Sequence, residues 1–246
     1  TAKQILVSIA LSNRFSLEAV EELYKGIFLA CKKYGVDVVG GDTTASISGL
    51  IISITVIGNA EKEELVYRNG AKEKNLLCVT GDLGGAYMGL QILEREKKIF
   101  KENPKVQPDL EGNDYIIERQ LKPEARVDII SLLKNLGVKP TSMIDISDGL
   151  AQDLAHILKQ SSVGALIYEA LIPVSSQARS LDDALYMGED FELLFTMPRK
   201  EAKRLLAKKL TNFKPIGEIV DRKLGLKLID KRNKEKIIKP KGYAHF

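Results

Sequence analysis

The spacing of hydrophobic residues predicts alternating strands and helices along the first sixty residues. The predicted elements of this segment are a strand at 5–11, a helix at 17–34, a strand at 36–39 and a strand at 50–57. The helix is predicted from apolar positions that recur every 3.6 residues, with Ser16 placed to cap its start and Gly35 to end it. The strands are rich in β-branched residues. This order indicates a mixed α and β domain.

The rest of the chain continues the alternation beyond a charged connection at 61–64. The predicted elements there are a strand at 76–79, a helix at 86–93, a helix at 123–137, a strand ending near 144, a helix at 150–158, strands at 165–168 and 191–197, a helix at 200–210, and a strand pair at 216–220 and 224–229. Residues 98–117 are polar and contain proline, which predicts a surface loop. We therefore expect an α/β (α+β) fold with two domains, 1–63 and 64–246.

Composition excludes several classes of function. With 44% hydrophobic and 28% charged residues among 246, the chain has the composition of an ordinary globular protein. No apolar run approaches the ~20 residues of a membrane span, so we expect no membrane association and a cytoplasmic protein. The net charge of +4 hides a basic C-terminal segment, but its lysines alternate with leucines. That pattern is typical of amphipathic elements, and we predict no nucleic-acid partner.

Cysteine and histidine chemistry is also improbable on this sequence. Cys31 and Cys78 both fall within apolar patterns and are interpreted as small core residues. His156 and His245 are the only histidines, which leaves little for a catalytic triad or a zinc site. We interpret His156 as structural.

The sequence Asp145-Ile146-Ser147-Asp148-Gly149-Leu150 predicts a sharp turn between a buried strand and a helix. Two carboxylates three residues apart, beside exposed backbone N–H groups, suit a Mg²⁺ ion and the phosphate that it bridges. Ser147 or Asp148 could instead simply cap the helix, and Gly149 could simply relax the turn. Asp153, further along, is interpreted as a solvated or capping residue.

Three other segments share this design, in which glycine stands beside acidic or hydroxyl residues at a predicted strand end. They are Gly40 to Thr44, Thr80 to Gly85 and Gly188 to Asp190. In α/β folds such strand ends meet at one rim and form the ligand site. Carboxylates gathered there would repel one another without a cation. Mg²⁺ prefers carboxylates together with substrate phosphates, so the pattern predicts a nucleoside triphosphate ligand.

Two features of these segments have alternative interpretations that stay open. Arg68 precedes a glycine and could donate to a phosphate, or it could be an ordinary surface arginine. The turn at 80–85 lacks the Lys-Ser/Thr ending of a P-loop. It could bind phosphate, or it could be a tight turn that lets a helix pack closely.

The motifs, taken in order, resemble those of the thiamine-monophosphate kinase family. The matching stretches are Gly40-Gly41-Asp42-Thr43-Thr44, Arg68-Asn69-Gly70-Ala71, Thr80-Gly81-Asp82-Leu83-Gly84, Asp145 to Leu150, Gly188-Glu189-Asp190-Phe191-Glu192-Leu193, and Gly242 to Phe246. The resemblance covers essentially the whole chain. It implies the aminoimidazole-ribonucleotide synthetase superfamily fold, with a homodimer formed through the N-terminal sheets and ATP between the two domains.

The resemblance also implies the reaction and the residues that serve it. The γ-phosphoryl group of ATP would pass to thiamine monophosphate, with several Mg²⁺ ions bound. The implied ATP contacts are Gly41, Asp42, Arg68 and Ser147; the implied Mg²⁺ ligands are Asp42, Asp145 and Asp148; and the implied thiamine phosphate contacts are Glu189 and Tyr243. The acceptor is a phosphate oxygen that is already ionised, so no residue is expected to act as a general base.

The chain departs from the family pattern at its start. It begins at Thr1 and enters an apolar strand at once, whereas family members carry an earlier segment with further metal ligands. We interpret the chain as an N-terminally truncated fragment that could be inactive. Gln120 stands where the family often has histidine. The alternatives are an aminoimidazole-ribonucleotide or selenophosphate synthetase, and a non-catalytic fragment that binds Mg-nucleotide.

Overall fold

A computed structural model describes residues 1–207 and 212–241 of the chain. It divides into two compact units, Thr1–Leu65 and Val66–Phe246. Mixed α and β structure is present in both units, as the hydrophobic pattern predicts. No helix among the described residues is both long and apolar enough to cross a membrane.

The N-terminal unit is one helix and a three-stranded sheet. Its elements are β1 (Ala2–Leu11), α1 (Leu17–Tyr34), β2 (Asp37–Ala45) and β3 (Leu50–Gly58). The strand order is β2-β1-β3, with β1 parallel to β2 and antiparallel to β3. The buried core consists of Ile5, Val7 and Ile9 of β1 and Ile27 and Cys31 of α1.

The ends of α1 confirm the predicted capping residues. Ser16 has an extended conformation, and its Oγ accepts a hydrogen bond from the Ala19 N–H at 3.3 Å. Gly35 has a φ of 63°, in the left-handed region, and its N–H donates to the Cys31 carbonyl. Both ends of a helix leave backbone groups without partners, and these two residues satisfy some of them.

The segment from Gly40 to Thr44 corrects the prediction of a turn at a strand end. It lies inside β2 and pairs with residues 6–10 of β1 along its whole length. Glycine is required at Gly41 because a Cβ there would lie 1.7 Å from the Val7 carbonyl oxygen. The sequence motif therefore marks a close approach of two strands rather than the end of one.

The C-terminal unit is built around one mixed sheet with helices on both faces. Its strands are β4 (Asn75–Thr80), β5 (Ser142–Ile146), β6 (Gly164–Tyr168), β7 (Glu192–Pro198), β8 (Phe213–Val220), β9 (Leu226–Ile229) and β10 (Glu235–Ile237). Its helices are α2 (Gly85–Glu102), α3 (Asp114–Leu121), α4 (Val127–Asn135), α5 (Leu150–Ser161), α6 (Leu181–Tyr186) and α7 (Arg199–Ala207). The strand order is β10-β9-β6-β8-β4-β7-β5.

Successive side chains of the central strands enter two different hydrophobic clusters. In β4, Leu77 and Val79 pack with α5 and α6, whereas Cys78 packs with α4 and α7. In β7, Leu194 belongs to the first cluster and Phe195 to the second. This alternation is the period-2 geometry of a strand buried on both faces. Cys78 is fully buried, which confirms its interpretation as a core residue and raises the pKa of its thiol.

Three predictions for this unit are wrong, two in the bounds of an element and one in the pairing of strands. The predicted loop at 98–117 is partly helical, because α2 continues to Glu102 and α3 begins at Asp114. The helix predicted to start at Pro123 begins at Val127 instead. The predicted pair β8 and β9 are not neighbours, because β6 lies between them. Residues 208–210, predicted as the end of a helix, lie outside the described residues.

Candidate functional site

One edge of the C-terminal sheet gathers three of the motif segments. Strands β4 and β5 both pair antiparallel with β7, so the ends of β4 and β5 lie beside the start of β7. The segment from Gly188 to Asp190 precedes β7, as the predicted strand at 191–197 requires. Asp145, Ser147, Asp148 and Glu189 are brought to this edge.

Asp153 organises the turn between β5 and α5. Its Oδ2 accepts hydrogen bonds from the N–H groups of Ser147, Asp148 and Gly149, at 3.0 to 3.1 Å. The predicted capping by Ser147 or Asp148 is wrong, because the N-cap of α5 is Gly149 and no side chain caps from that position. The prediction of free backbone N–H groups at this turn is also wrong, because Asp153 occupies them. Asp153 is buried rather than solvated.

The charges at this turn favour a bound cation. Burial raises the pKa of Asp153 to about 6, its hydrogen bonds oppose that shift, and the charges of Asp148 and Asp145 add to it. Carboxylate oxygens of Asp148 and Asp153 and a ring nitrogen of His156 all lie within 4.8 Å of one another. Within residues 1–207 and 212–241, no lysine or arginine forms an ion pair with these acids. The acidic oxygens fit a hard divalent ion, and the His156 ring lies beside them.

The segment that carries Glu189 is locked against this turn. The Glu189 N–H donates to the Ser147 carbonyl at 2.9 Å, and the Phe191 N–H donates to the Ile146 carbonyl at 2.8 Å. Glu189 and Phe191 have φ values of 69° and 50°, which are unusual for residues with side chains. Backbone strain of this kind persists only where surrounding contacts hold it, and it is common at functional sites.

A buried ionic network lies directly behind the segment. The Glu192 carboxylate accepts from Arg119 at 2.7 Å, from Arg126 at 2.6 Å and from the Thr80 hydroxyl. Burial lowers the pKa of Arg119, but the charges of Glu192 and Asp190 outweigh it, so its pKa is raised overall. Both guanidinium groups are therefore held fully charged behind the segment from Gly188 to Asp190.

The turn at 80–85 serves packing and not phosphate binding in this structure. The Asp190 carboxylate accepts from the N–H groups of Gly84 at 2.8 Å and Ala86 at 3.4 Å, so an internal anion occupies the start of α2. A Cβ on Gly81 would lie 2.1 Å from a Glu192 carboxylate oxygen. The tight-turn alternative is the one that the geometry supports.

The remaining predicted site residues belong to other segments of the chain. Arg68 is exposed, and its carbonyl accepts from Ser161 Oγ at 3.4 Å. Ser161 is the last residue of the twelve-residue helix α5, so Arg68 lies about 18 Å along that helix from the turn at Asp148. Gly41 and Asp42 belong to β2 of the N-terminal unit, where Asp42 is exposed and pairs with Ser8. Tyr243 lies outside the described residues.

Two arginines at this edge, Arg119 and Arg126, were not identified from the sequence. Gln120, Asp190 and Glu192 were named there, but no role was assigned to them. The alternation of acidic and apolar residues at 190–193 was a usable signal, because alternate residues at the start of a strand face the same side. The arginines carried no comparable signal, since their partners lie more than sixty residues away in sequence.

Comparisons with known proteins identify the family. Residues 1–60 match the family described as AIR synthase related protein, N-terminal domain, and residues 74–229 match AIR synthase related protein, C-terminal domain. A thiamine-monophosphate kinase of Bacillus subtilis (strain 168) is 33% identical over 252 residues, covering 99% of this chain and 75% of the relative. The chain belongs to the thiamine-monophosphate kinase family. The predicted resemblance and the predicted fold class are therefore confirmed.

Two further members of the thiamine-monophosphate kinase family support the assignment. The relative from Buchnera aphidicola subsp. Schizaphis graminum is 37% identical over 233 residues, covering 90% of this chain and 68% of the relative. A solved structure of AaThiL in complex with AMPPCP and TMP matches with a TM-score of 0.80 and 29% identity, covering 100% of this chain and 74% of that one. The N- and C-terminal units thus both have counterparts in a family member that binds these two ligands.

Proposed function

We propose that this protein transfers the γ-phosphoryl group of ATP to thiamine monophosphate and so forms thiamine diphosphate. Membership of the thiamine-monophosphate kinase family is the observation that carries the proposal. The similarity to AaThiL, whose structure contains AMPPCP and TMP, supports the pair of substrates. Asp145, Asp148 and Glu189 form an acidic rim, where bound Mg²⁺ would offset the charges of two reacting phosphate groups.

We propose that Asp145, Asp148 and Asp42 are Mg²⁺ ligands. Bound Mg²⁺ would neutralise phosphate charge and align the reacting groups. The charge arrangement supports this, because the acids near Asp153 have no cationic side chain as a partner among the described residues. The family resemblance implies that several Mg²⁺ ions bind.

We propose that Gly41, Asp42 and Ser147 contact ATP and that Glu189 and Tyr243 contact thiamine monophosphate. The hydrogen bond from Glu189 to the Ser147 carbonyl supports adjacent sites for donor and acceptor at the rim. Arg68 stays a sequence prediction for ATP binding, because its main chain lies at the other end of α5. The protein's part in the reaction is to hold two anions in line, and no proton transfer by a side chain is required.

A homodimer through the N-terminal unit is also proposed. All nine residues of β3 are exposed, and Ile51 and Val56 are 62% and 60% exposed. Contiguous apolar residues on an exposed strand mark a surface that another chain covers. A second copy of the same chain is the partner that the resemblance implies. The predicted cytoplasmic location stays a prediction.

The function is tested by incubating the intact protein with ATP, Mg²⁺ and either thiamine monophosphate or formylglycinamidine ribonucleotide. Formation of thiamine diphosphate with no turnover of the second substrate is expected. Turnover of only the ribonucleotide would replace the proposal with a synthetase function. ATP binding without either product would favour a non-catalytic nucleotide-binding protein.

A further inference from the structure

One side chain outside the motifs contacts the proposed substrate residue. Gln120, in the last turn of α3, donates a hydrogen bond from its Nε2 to Glu189 Oε2 at 2.8 Å. Glu189 is exposed and Gln120 is half-buried. This is the one hydrogen bond that the Glu189 side chain makes within residues 1–207 and 212–241.

The backbone around Glu189 is fixed by other contacts. Besides the two hydrogen bonds to the turn after β5, Arg119 Nη2 donates to the carbonyls of Asp190 and Asp82, at 3.1 Å each. Arg119 therefore holds the segment in place, and its neighbour Gln120 contacts the side chain that the segment presents. With the main chain fixed, the direction of the Glu189 carboxylate depends on Gln120.

The orientation of the Gln120 amide is set by this contact. A carboxylate only accepts hydrogen bonds, so the amide must turn its N–H₂ group toward Glu189. Its Oε1 is then buried and has no hydrogen-bond partner among the described residues. A buried acceptor without a partner is unfavourable, and such compromises occur mainly where function requires them.

We propose that Gln120 is a positioning residue that holds Glu189 in the geometry that receives thiamine monophosphate. Gln120 engages Oε2, which leaves Glu189 Oε1 available to accept from a hydrogen-bond donor or to face a cationic ring of the substrate. The amine and the cationic ring of thiamine offer both kinds of group. This inference rests on the proposed function and on the contact of Glu189 with the phosphate acceptor.

The test compares Gln120→Met with Gln160→Met in the intact protein. Both glutamines lie in the last turn of a helix, but Gln160 is exposed and its side chain makes no hydrogen bond to any described residue. Loss of a hydrogen bond to a charged group should raise the KM for thiamine monophosphate about tenfold in Gln120→Met. The KM for ATP and kcat should change less than about twofold, and Gln160→Met should match the wild type. Gln120→His, which retains an N–H donor, should restore most of the lost affinity.

The alternatives give different results. A merely structural role would change both KM values together with the melting temperature, and this would overturn the inference. An unchanged KM in an active wild-type background would refute the role of Gln120 while leaving the proposed function intact. A wild type that forms no thiamine diphosphate would refute the proposed function, and the inference with it.

A double-variant cycle isolates the pathway through Glu189. In a Glu189→Ala background, Gln120→Met should add no further change in the KM for thiamine monophosphate. A further tenfold rise in that background would mean that Gln120 acts on the substrate by another route, and it would overturn the positioning role.

Discussion

Replacing Glu192 with glutamine tests the buried ionic network behind the rim. Glu192 is buried and receives hydrogen bonds from Arg119, Arg126 and Thr80. Glutamine has nearly the same shape, but it is neutral and turns an N–H₂ group toward one of the donors. The substitution therefore removes the charge and one acceptor while leaving the volume of the side chain unchanged.

The expected cost follows from what the two arginines retain. Breaking a buried ion pair costs about 3 to 5 kcal/mol, because the remaining charge stays buried. Arg126 keeps two contacts with Asp128 at 3.0 Å, and Arg119 keeps the carbonyls of Asp82 and Asp190. These partners place the expected loss at the lower end, about 3 kcal/mol. For a unit of this size each kcal/mol lowers the melting temperature by about 2 to 4 °C, so a fall of about 6 to 12 °C is expected.

Thermal unfolding followed by circular dichroism measures this change. Glu201→Gln is the matched control, because Glu201 forms an ion pair of the same length, 2.7 Å, with Arg204 on the more exposed face of α7. Exposed pairs contribute about 0 to 1 kcal/mol, so the control should shift the melting temperature by less than about 4 °C. Equal shifts in the two variants would refute the reasoning that burial makes the Glu192 network costly to break.

Three further predictions concern the same edge of the sheet. Burial raises the pKa of Asp190 to about 6 from an ordinary 3.8, so between these pH values the folded state binds a proton that the unfolded state does not. The free energy of unfolding should therefore fall by up to about 3 kcal/mol as the pH rises from 4 to 6. Denaturant titrations of Asp190→Asn should not show this fall. Gly188→Ala should lower the unfolding free energy more than Gly137→Ala does, because a Cβ on Gly188 would lie 2.1 Å from the Ser147 carbonyl oxygen. Gly137 has a positive φ of 64°, but a Cβ there would meet no atom within 4 Å. A larger loss in Gly137→Ala would contradict the close approach at Gly188. Asp148→Asn should abolish Mg²⁺-dependent turnover with little change in melting temperature, and unchanged activity would refute its role as a ligand.

Elements with local sequence signals were predictable. Helix α1 follows from its 3.6-residue apolar period and from the residues at its ends, because capping depends on hydrogen bonds between neighbours in sequence. The core position of Cys78 follows from the apolar run of β4, which is also a local pattern in the sequence. The end of α2 was missed because residues 94–98 are all charged, and a helical turn at the surface needs no apolar residue.

The arrangement of the rim could not be predicted because it depends on strand order. The motif from Gly188 to Asp190 joins the turn at Asp145 only because β7 runs antiparallel to β5 and lies beside it. Parallel strands would have placed these segments at opposite edges of the sheet. The partners of Arg119 and Arg126 were hidden likewise, since pairing between distant residues leaves no periodic signal in the sequence.

The occupied turn after β5 changes how a phosphate can be bound there. A helix N-terminus with free N–H groups binds phosphate directly, but here Asp153 already accepts from all three N–H groups. A phosphate approaching Asp148 would therefore meet carboxylates and not donors, and the Coulomb repulsion would oppose its binding. A cation between the two anions reverses the sign of that interaction. The same residue that fixes the turn would thus make the proposed phosphate binding at Asp145 and Asp148 depend on a divalent ion.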